Sequence, residues 1–399
     1  MWQIQLDPTV VRAYAEWSGR TPRDCPMINC VNCRRDIWSK PMGNLIYIFV
    51  HGLAGWGSYD KRNANMPYWG MRGGDLIAYL RGQGFDCYAA SVDPFGSAWD
   101  RACELYAQIA GARVDYGAAH SAAMRHERFG RDFTGDPLIP AWDDDTRLVL
   151  LGHSFGGATA RLFSELLADG DAAEREAAGS EGLSPLFAGG MAGRIHAIIT
   201  LSSSMNGTTA YDLFEDPSFN PKAIHMPFRA RIAALALPLA VTPKRDGRDP
   251  RDYADYDMHV DRALELNARI STLPHVYYIS VPCSTTVALP DGTHVAKRQT
   301  EPLFLQRAFQ IGAYTGTTAG GRTIDTSWCE NDGLVNTISE KAPLGEPSKA
   351  FDRAAVEPGI WNVVPTLEGD HMWLQGGLMR QHDIRGFYES LLKVIDTLA

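Results

Sequence analysis

The stretch LVLLGHSFGGATARLFSELL, residues 148 to 167, reads as three successive pieces. Leu148 to Leu151 is a short apolar run of strand character, Gly152-His153-Ser154-Phe155-Gly156 is a G-x-S-x-G turn, and Ala158 to Leu167 favours helix. Glycines two places to either side of a serine let the chain reverse sharply, so that the hydroxyl stands free between strand and helix. The pentapeptide alone occurs by accident in unrelated chains. The strand before it and the helix after it make Ser154 a candidate nucleophile.

Outward from this point, runs of the same character recur at Leu45 to Val50, Cys87 to Ser91, Ile195 to Leu201 and Val276 to Val281. They are continuous and not alternating, as expected of parallel strands covered on both faces. Helix-like stretches separate them. At the C-terminus Ile384, Phe387, Tyr388, Leu391 and Ile395 recur at helical spacing between Arg385, Glu389 and Lys393, which predicts a closing amphipathic helix. The fold class is therefore α/β, an α/β-hydrolase fold with a mostly parallel central sheet and helices on both faces.

Composition bounds the function. A chain of 399 residues, 45% apolar and 21% charged, is able to bury a large core. Its formal charge of −9 argues against a nucleic-acid or anionic-membrane surface. The nearest approach to a spanning helix, Leu235 to Val241, is short and broken by Pro238, so no transmembrane segment is expected. MWQIQLDPTVVRAYAEW lacks a basic region followed by an apolar one, so no signal peptide is visible in this chain. Cys25, Cys30 and Cys33 form a C-x4-C-x2-C cluster, open to one disulfide with a spare thiol, to metal, or to free thiols.

In this fold class an acid and then a histidine follow the serine, each on a loop after a strand. His371 follows strand-like Ile360 to Val364 and the loop Glu368-Gly369-Asp370, and is the candidate base; His382 is read as part of the terminal helix's first turn. Asp332, in the turn Glu330-Asn331-Asp332-Gly333, is the candidate acid, with Glu330 and Asp325 as competitors. The oxyanion needs one backbone donor after the nucleophile and one after an early strand. Phe155 and Leu53, the latter in His51-Gly52-Leu53-Ala54-Gly55, supply them, while His51 shapes the loop. Residues Met226 to Val241, MPFRARIAALALPLAV, read either as an ordinary buried helix or as a mobile lid over an apolar site.

Asp100, His120 and His126 share one stretch but are twenty and six residues apart, so no single helix face carries them. Spacing alone makes a weak metal case, since tetrahedral zinc wants four ligands. The block Asp100 to Arg131, with VHGLAGWG at 50–57, YWGMRGGD at 68–75, GHSFGG at 152–157, SPLFAGG at 184–190, NGTT at 206–209, ENDGLVNT at 330–337 and HDIRGFY at 382–388, resembles the zinc-containing bacterial true lipases. These are typified by thermophilic bacilli and related to staphylococcal lipases. The resemblance runs from Leu45 to the C-terminus; residues 1–43 have no counterpart and read as an extension to a single hydrolase domain over 44–399.

That resemblance implies triacylglycerol hydrolysis at an oil–water interface, secretion, and a lid around residues 210–250. It implies Ser154, Asp332 and His371 as the triad, Leu53 and Phe155 as oxyanion donors, and a structural zinc held by Asp100, His120 and His126. Asp252 is implied as the fourth ligand, five residues before the aspartate of Tyr256-Asp257. The family's calcium site uses a glutamate two residues after the catalytic histidine and a nearby Asp-Pro pair. Here Trp373 holds the first position and no such pair precedes Asp383, so calcium is not expected. An esterase or polyester hydrolase on the same machinery, and a non-catalytic binding protein on this scaffold, are the other readings.

Overall fold

In a computed structural model, residues 44–179, 182–227, 230 and 246–398 are described. The N-terminal extension with Cys25, Cys30 and Cys33, and most of the apolar segment read as a lid, lie outside them. Seven strands form one sheet: β1 (Asn44–Val50), β2 (Cys87–Ala90), β3 (Thr146–His153), β4 (Ile195–Leu201), β5 (Tyr277–Val281), β6 (Ser348–Ala350) and β7 (Trp361–Val363). Their order is β6-β7-β5-β4-β3-β1-β2 and every neighbouring pair is parallel. The strand runs expected from sequence are all present. The short edge strand β6 carries too little apolar pattern to be read from sequence; it is recruited by pairing Ser348 to Ala350 with Trp361 to Val363.

Successive side chains of a strand point to opposite faces. On β1 this sends Ile46, Ile48 and Val50 to one core and Tyr47 and Phe49 to the other. The first core is closed by helices α1 (Ala98–Ala110) and α2 (Phe155–Asp169), through residues such as Leu105 and Phe163. The second is closed by Leu76–Gly82 and by the terminal helix α3 (Arg385–Ile395), whose Phe387, Tyr388, Leu391 and Ile395 are buried. Burial of this kind contributes about 1.5–3 kcal/mol per large apolar side chain. Two-faced burial is the physical reason the strands are continuously apolar.

His382 is not part of α3, contrary to its reading from sequence: the helix begins at Arg385 and His382 lies in the loop before it, its ring 5.7 Å from that of Trp373. The pairing of Asp383 with Arg385 and with the Arg385 N–H explains where the helix starts.

Candidate active site

Strand β3 ends at His153 and α2 begins at Phe155, leaving Ser154 alone at the turn with φ 54° and ψ −129°. A non-glycine residue in that region is strained, and the strain is held by the packing of strand against helix. The flanking glycines are steric necessities. A Cβ on Gly152 would stand 2.4 Å from the Gly156 carbonyl oxygen, and one on Gly156 would stand 2.3 Å from that of Val50.

The structure brings Ser154, His371 and Asp332 together although they are far apart in sequence. Ser154 Oγ lies 2.9 Å from His371 Nε2, and His371 Nδ1 lies 2.6 Å from Asp332 Oδ2. A carboxylate only accepts, so Nδ1 carries the proton and Nε2 is free to accept from the serine hydroxyl. Asp332 Oδ1 accepts the N–H groups of Leu334 and Val335 at 2.9 and 2.8 Å, and its carbonyl accepts the His371 N–H at 2.9 Å. All three residues are buried. Glu330 and Asp325 stand outside this relay; Asp325 instead caps Thr326–Trp328.

The N–H groups of Leu53 and Phe155 make no hydrogen bond among the described residues. Both adjoin Ser154, Phe155 directly and Leu53 through Gly52, where an added Cβ would stand 2.7 Å from the serine Cβ. The Leu53 loop is tied down by Ala54 N–H to the Pro94 carbonyl at 2.8 Å. His51 is fully buried, its Nδ1 2.8 Å from the Gly52 carbonyl, and burial followed by Arg101 pulls its pKa down to about 3. It is therefore neutral and shapes the loop.

Two supports of the site were not legible in the sequence. Arg101, fully buried on α1, donates to Thr159 Oγ1 at 2.9 Å, to the Asp93 carbonyl at 2.8 Å and to the His51 carbonyl, and so ties α1, α2 and the end of β1 together. His153 Nε2 lies 2.9 Å from the His371 carbonyl and its Nδ1 2.6 Å from the Tyr68 hydroxyl, which in turn accepts the Gly52 N–H at 3.2 Å. Because a carbonyl accepts only, His153 donates through Nε2 and Tyr68 donates to Nδ1. This chain of bonds couples the Leu53 loop to the backbone of His371. Only a tertiary contact reveals such a link.

Ser154 and His371 open into a cavity of about 430 Å³, walled largely by apolar groups including Leu53, Met258, Leu303, Phe304 and Leu334. Beside it, Phe214 is exposed and Met226 and Ala230 pack on Leu305 and Phe309.

A second cluster lies across the first core. Asp100 on α1, His120 on Ala118–Met124, His126 in the loop after it and Asp252 at the end of Pro250–Asp252 each offer one ligand atom within 4.8 Å of the others. His126 Nδ1 lies 2.8 Å from the Glu127 carbonyl, which orients the ring so that Nε2 faces Asp100 and Asp252 at 3.8 and 3.4 Å. That Nε2 and Asp252 Oδ2 are buried without a hydrogen-bond partner among the described residues. Trp99 stacks on His120, Ser97 Oγ donates to Asp252 Oδ1 at 2.8 Å, and Arg248 donates to Asp100 Oδ2 at 3.2 Å. Burial opposes a charge on His120, but Asp100 and Asp252 outweigh it and raise its pKa to about 9. Two imidazoles and two carboxylates converging on orphaned atoms are a donor set suited to a divalent cation.

A wholly parallel sheet that presents a strained serine to a histidine and a carboxylate at the carboxyl ends of its strands belongs to the α/β-hydrolase class. Within that class, residues 44–225 and 247–392 match the family described as "Lipase-like, C-terminal domain", and the chain belongs to it. It is similar to "Lipase 2" of Staphylococcus aureus, 33% identical over 360 residues that cover 84% of this chain and 50% of that protein. The chain thus spans about half the length of the curated relatives it matches. Among solved structures it is similar to EstA from Clostridium botulinum, with a TM-score of 0.75 and 30% identity over 90% of this chain and 89% of the other. The Staphylococcus hyicus lipase gives a TM-score of 0.74 and 27% identity over 91% and 98% of the two chains. Lipase 1 from Pelosinus fermentans gives 0.72 and 30% over 90% and 100%.

Proposed function

We propose that the protein is a serine-dependent carboxylic-ester hydrolase, acting on triacylglycerols through an acyl-enzyme on Ser154. The observation that carries this reading is the unbroken Ser154–His371–Asp332 relay opening into an apolar cavity. In the reaction His371 Nε2 takes the Ser154 proton as Oγ attacks the ester carbonyl. The N–H groups of Leu53 and Phe155 receive the oxyanion, and Asp332 holds the imidazole tautomer and stabilises the imidazolium. His371 then delivers the proton to the departing alcohol, and a water attacks the acyl-enzyme by the same steps in reverse order.

The apolar wall favours a fatty acyl chain, and the resemblance to lipases supports an oil–water interface as the working surface and secretion as the route to it. If residues 210–250 act as a lid, as read from the sequence, opening would expose apolar area that an interface stabilises. Rates on p-nitrophenyl esters from acetate to palmitate, and on emulsified triolein, test this. Hydrolysis is expected to rise sharply once substrate exceeds its solubility limit; a smooth saturation curve with preference for acetate makes the protein a soluble-ester esterase instead.

The four-residue cluster fits zinc, held by Asp100, His120, His126 and Asp252. With all four positions taken by protein, zinc there would be structural, supplying charge compensation to buried carboxylates and no reacting water. Calcium is not required on this reading. The loop after His371 is tied by protein groups: Glu301 Oε1 accepts the N–H groups of Met379 and Arg380 at 2.8 and 2.7 Å, and Asp370 Oδ2 accepts the Glu301 N–H at 2.9 Å. A calcium-selective chelator is expected to leave melting temperature and rate unchanged. A drop in melting temperature restored by calcium alone overturns this.

A further inference from the structure

Glu340 sits in the short helix Thr337–Lys341 that follows the Asp332 turn and is fully buried. Its Oε2 accepts the Cys283 N–H at 2.6 Å. Its Oε1 is shut off from solvent and has no hydrogen-bond donor among the described residues. The carboxyl lies in hydrogen-bond contact with the side chain of Asp332, and two carboxyl groups share such a contact only when one of them carries a proton. Asp332 is ill suited to carry it. Its oxygens already accept from Leu334, Val335 and His371, three donors that favour the charged form.

Glu340 has one N–H donor, and the charged groups that face it, Asp332 and then Glu330, are both negative. Burial, followed by the charge of Asp332, pushes its carboxyl well above the usual carboxylate range. The Cys283 thiol, on the segment packed against it, is also pushed far up by burial, so it contributes no charge.

We propose that Glu340 is a neutral carboxylic acid that donates a hydrogen bond from Oε1 to Asp332, making it a positioning residue behind the acid of the relay. The bond supplies the fourth of the roughly four acceptor sites that a carboxylate offers. It holds the Asp332 plane toward His371, and by spreading the carboxylate charge it restrains the rise in His371 basicity that a bare buried carboxylate causes. The inference rests on the triad reading above for its kinetic consequence, but not for its spectroscopic one.

The experiment is an infrared spectrum of the whole protein with wild type and E340Q compared at about pH 8, well above the ordinary glutamate pKa of about 4.3. The wild-type minus E340Q difference spectrum is expected to show a carboxylic-acid carbonyl stretch. Kinetics supply the second readout. In E340Q the amide still donates to Asp332 and still accepts from Cys283, so kcat is expected within about threefold of wild type and the acid limb of kcat/KM unmoved. In E340L the donor is gone, Asp332 becomes more basic, and kcat is expected to fall about tenfold with the acid limb moving to higher pH.

Absence of the acid band from that difference spectrum overturns the proposal. So does an acid limb in E340Q displaced to lower pH, which would mean that a negative charge had been removed from behind His371. If E340L fails to fold, the spectrum and E340Q decide. If the triad reading itself is wrong, Ser154→Ala remains active while the acid band persists.

Discussion

Ser154→Ala is expected to lower kcat by roughly 10⁴-fold or more while leaving the fold intact, because a hydroxyl is removed from a buried turn where, among the described residues, its Oγ bonds only to His371. His371→Ala should cost a similar factor, since without the base the serine hydroxyl is a weak nucleophile. Asp332→Asn is the more telling variant. Its amide would turn an N–H toward His371, forcing the imidazole to carry its proton on Nε2 and to face Ser154 with a donor; a loss of about 10⁴-fold is expected from the wrong tautomer alone. The losses should not add: a Ser154→Ala, His371→Ala double variant is expected to retain the rate of either single one, the remainder coming from the Leu53 and Phe155 donors. Near-normal ester turnover by Ser154→Ala, measured after excluding contaminating hydrolases, would falsify the assignment.

The largest effect on stability is expected at the four-residue cluster. Protein purified without added metal should contain about one zinc per chain, since closed four-ligand sites bind zinc tightly. An ion present at roughly a thousand times its Kd adds about 4 kcal/mol to the folded state. With an unfolding entropy of about 2.1 cal/mol/K per residue, that is a melting shift of roughly 5 °C for a domain of this size. His120→Ala with His126→Ala should lose the metal and at least this much stability, because Asp100 and Asp252 are then left buried with Arg248 and Ser97 as their remaining partners. The position of the ligands gives the loss a consequence for the site. Asp100 precedes Arg101, which donates to the His51 carbonyl behind the Leu53 loop. Asp252 ends the segment that returns from the region read as a lid. The ester-hydrolysis rate at elevated temperature should therefore fall in parallel with melting temperature. Full zinc content and an unchanged melt in the double histidine variant would remove the cluster from the metal reading.

Some of this was legible from residue order alone, and for a local reason. A strand, a sharp turn and a helix are set by contacts within a few residues, so LVLLGHSFGGATARLFSELL carries its own geometry, and the continuous apolar runs announce a sheet covered on both faces. The order of serine, acid and histidine then left few places for Asp332 and His371. The stretch from Asp100 to His126 was different. Its spacing said little, and only likeness to a lipase family selected Asp100, His120, His126 and Asp252; their convergence is a property of how α1 packs with the helix Ala118–Met124, the loop after it and the distant segment Pro250–Asp252.

The tertiary structure alone decided the rest. Nothing in the local sequence distinguishes Glu340 from a solvated glutamate near a helix end, Arg101 from a surface arginine on α1, or His153 from any residue between Gly152 and Ser154. Each acquires its role from a partner 50 to more than 200 residues away or on another element: the Cys283 N–H and Asp332 for Glu340, the His51 carbonyl for Arg101, the His371 carbonyl for His153. The start of the terminal helix at Arg385, which leaves His382 outside it, and the recruitment of β6 were decided the same way. The sequence by itself determined which elements form and at which turn Ser154 stands. Which polar groups lose their water, and therefore which must find one another, was settled only when those elements packed, because desolvation depends on everything around a group and not on its neighbours in the chain.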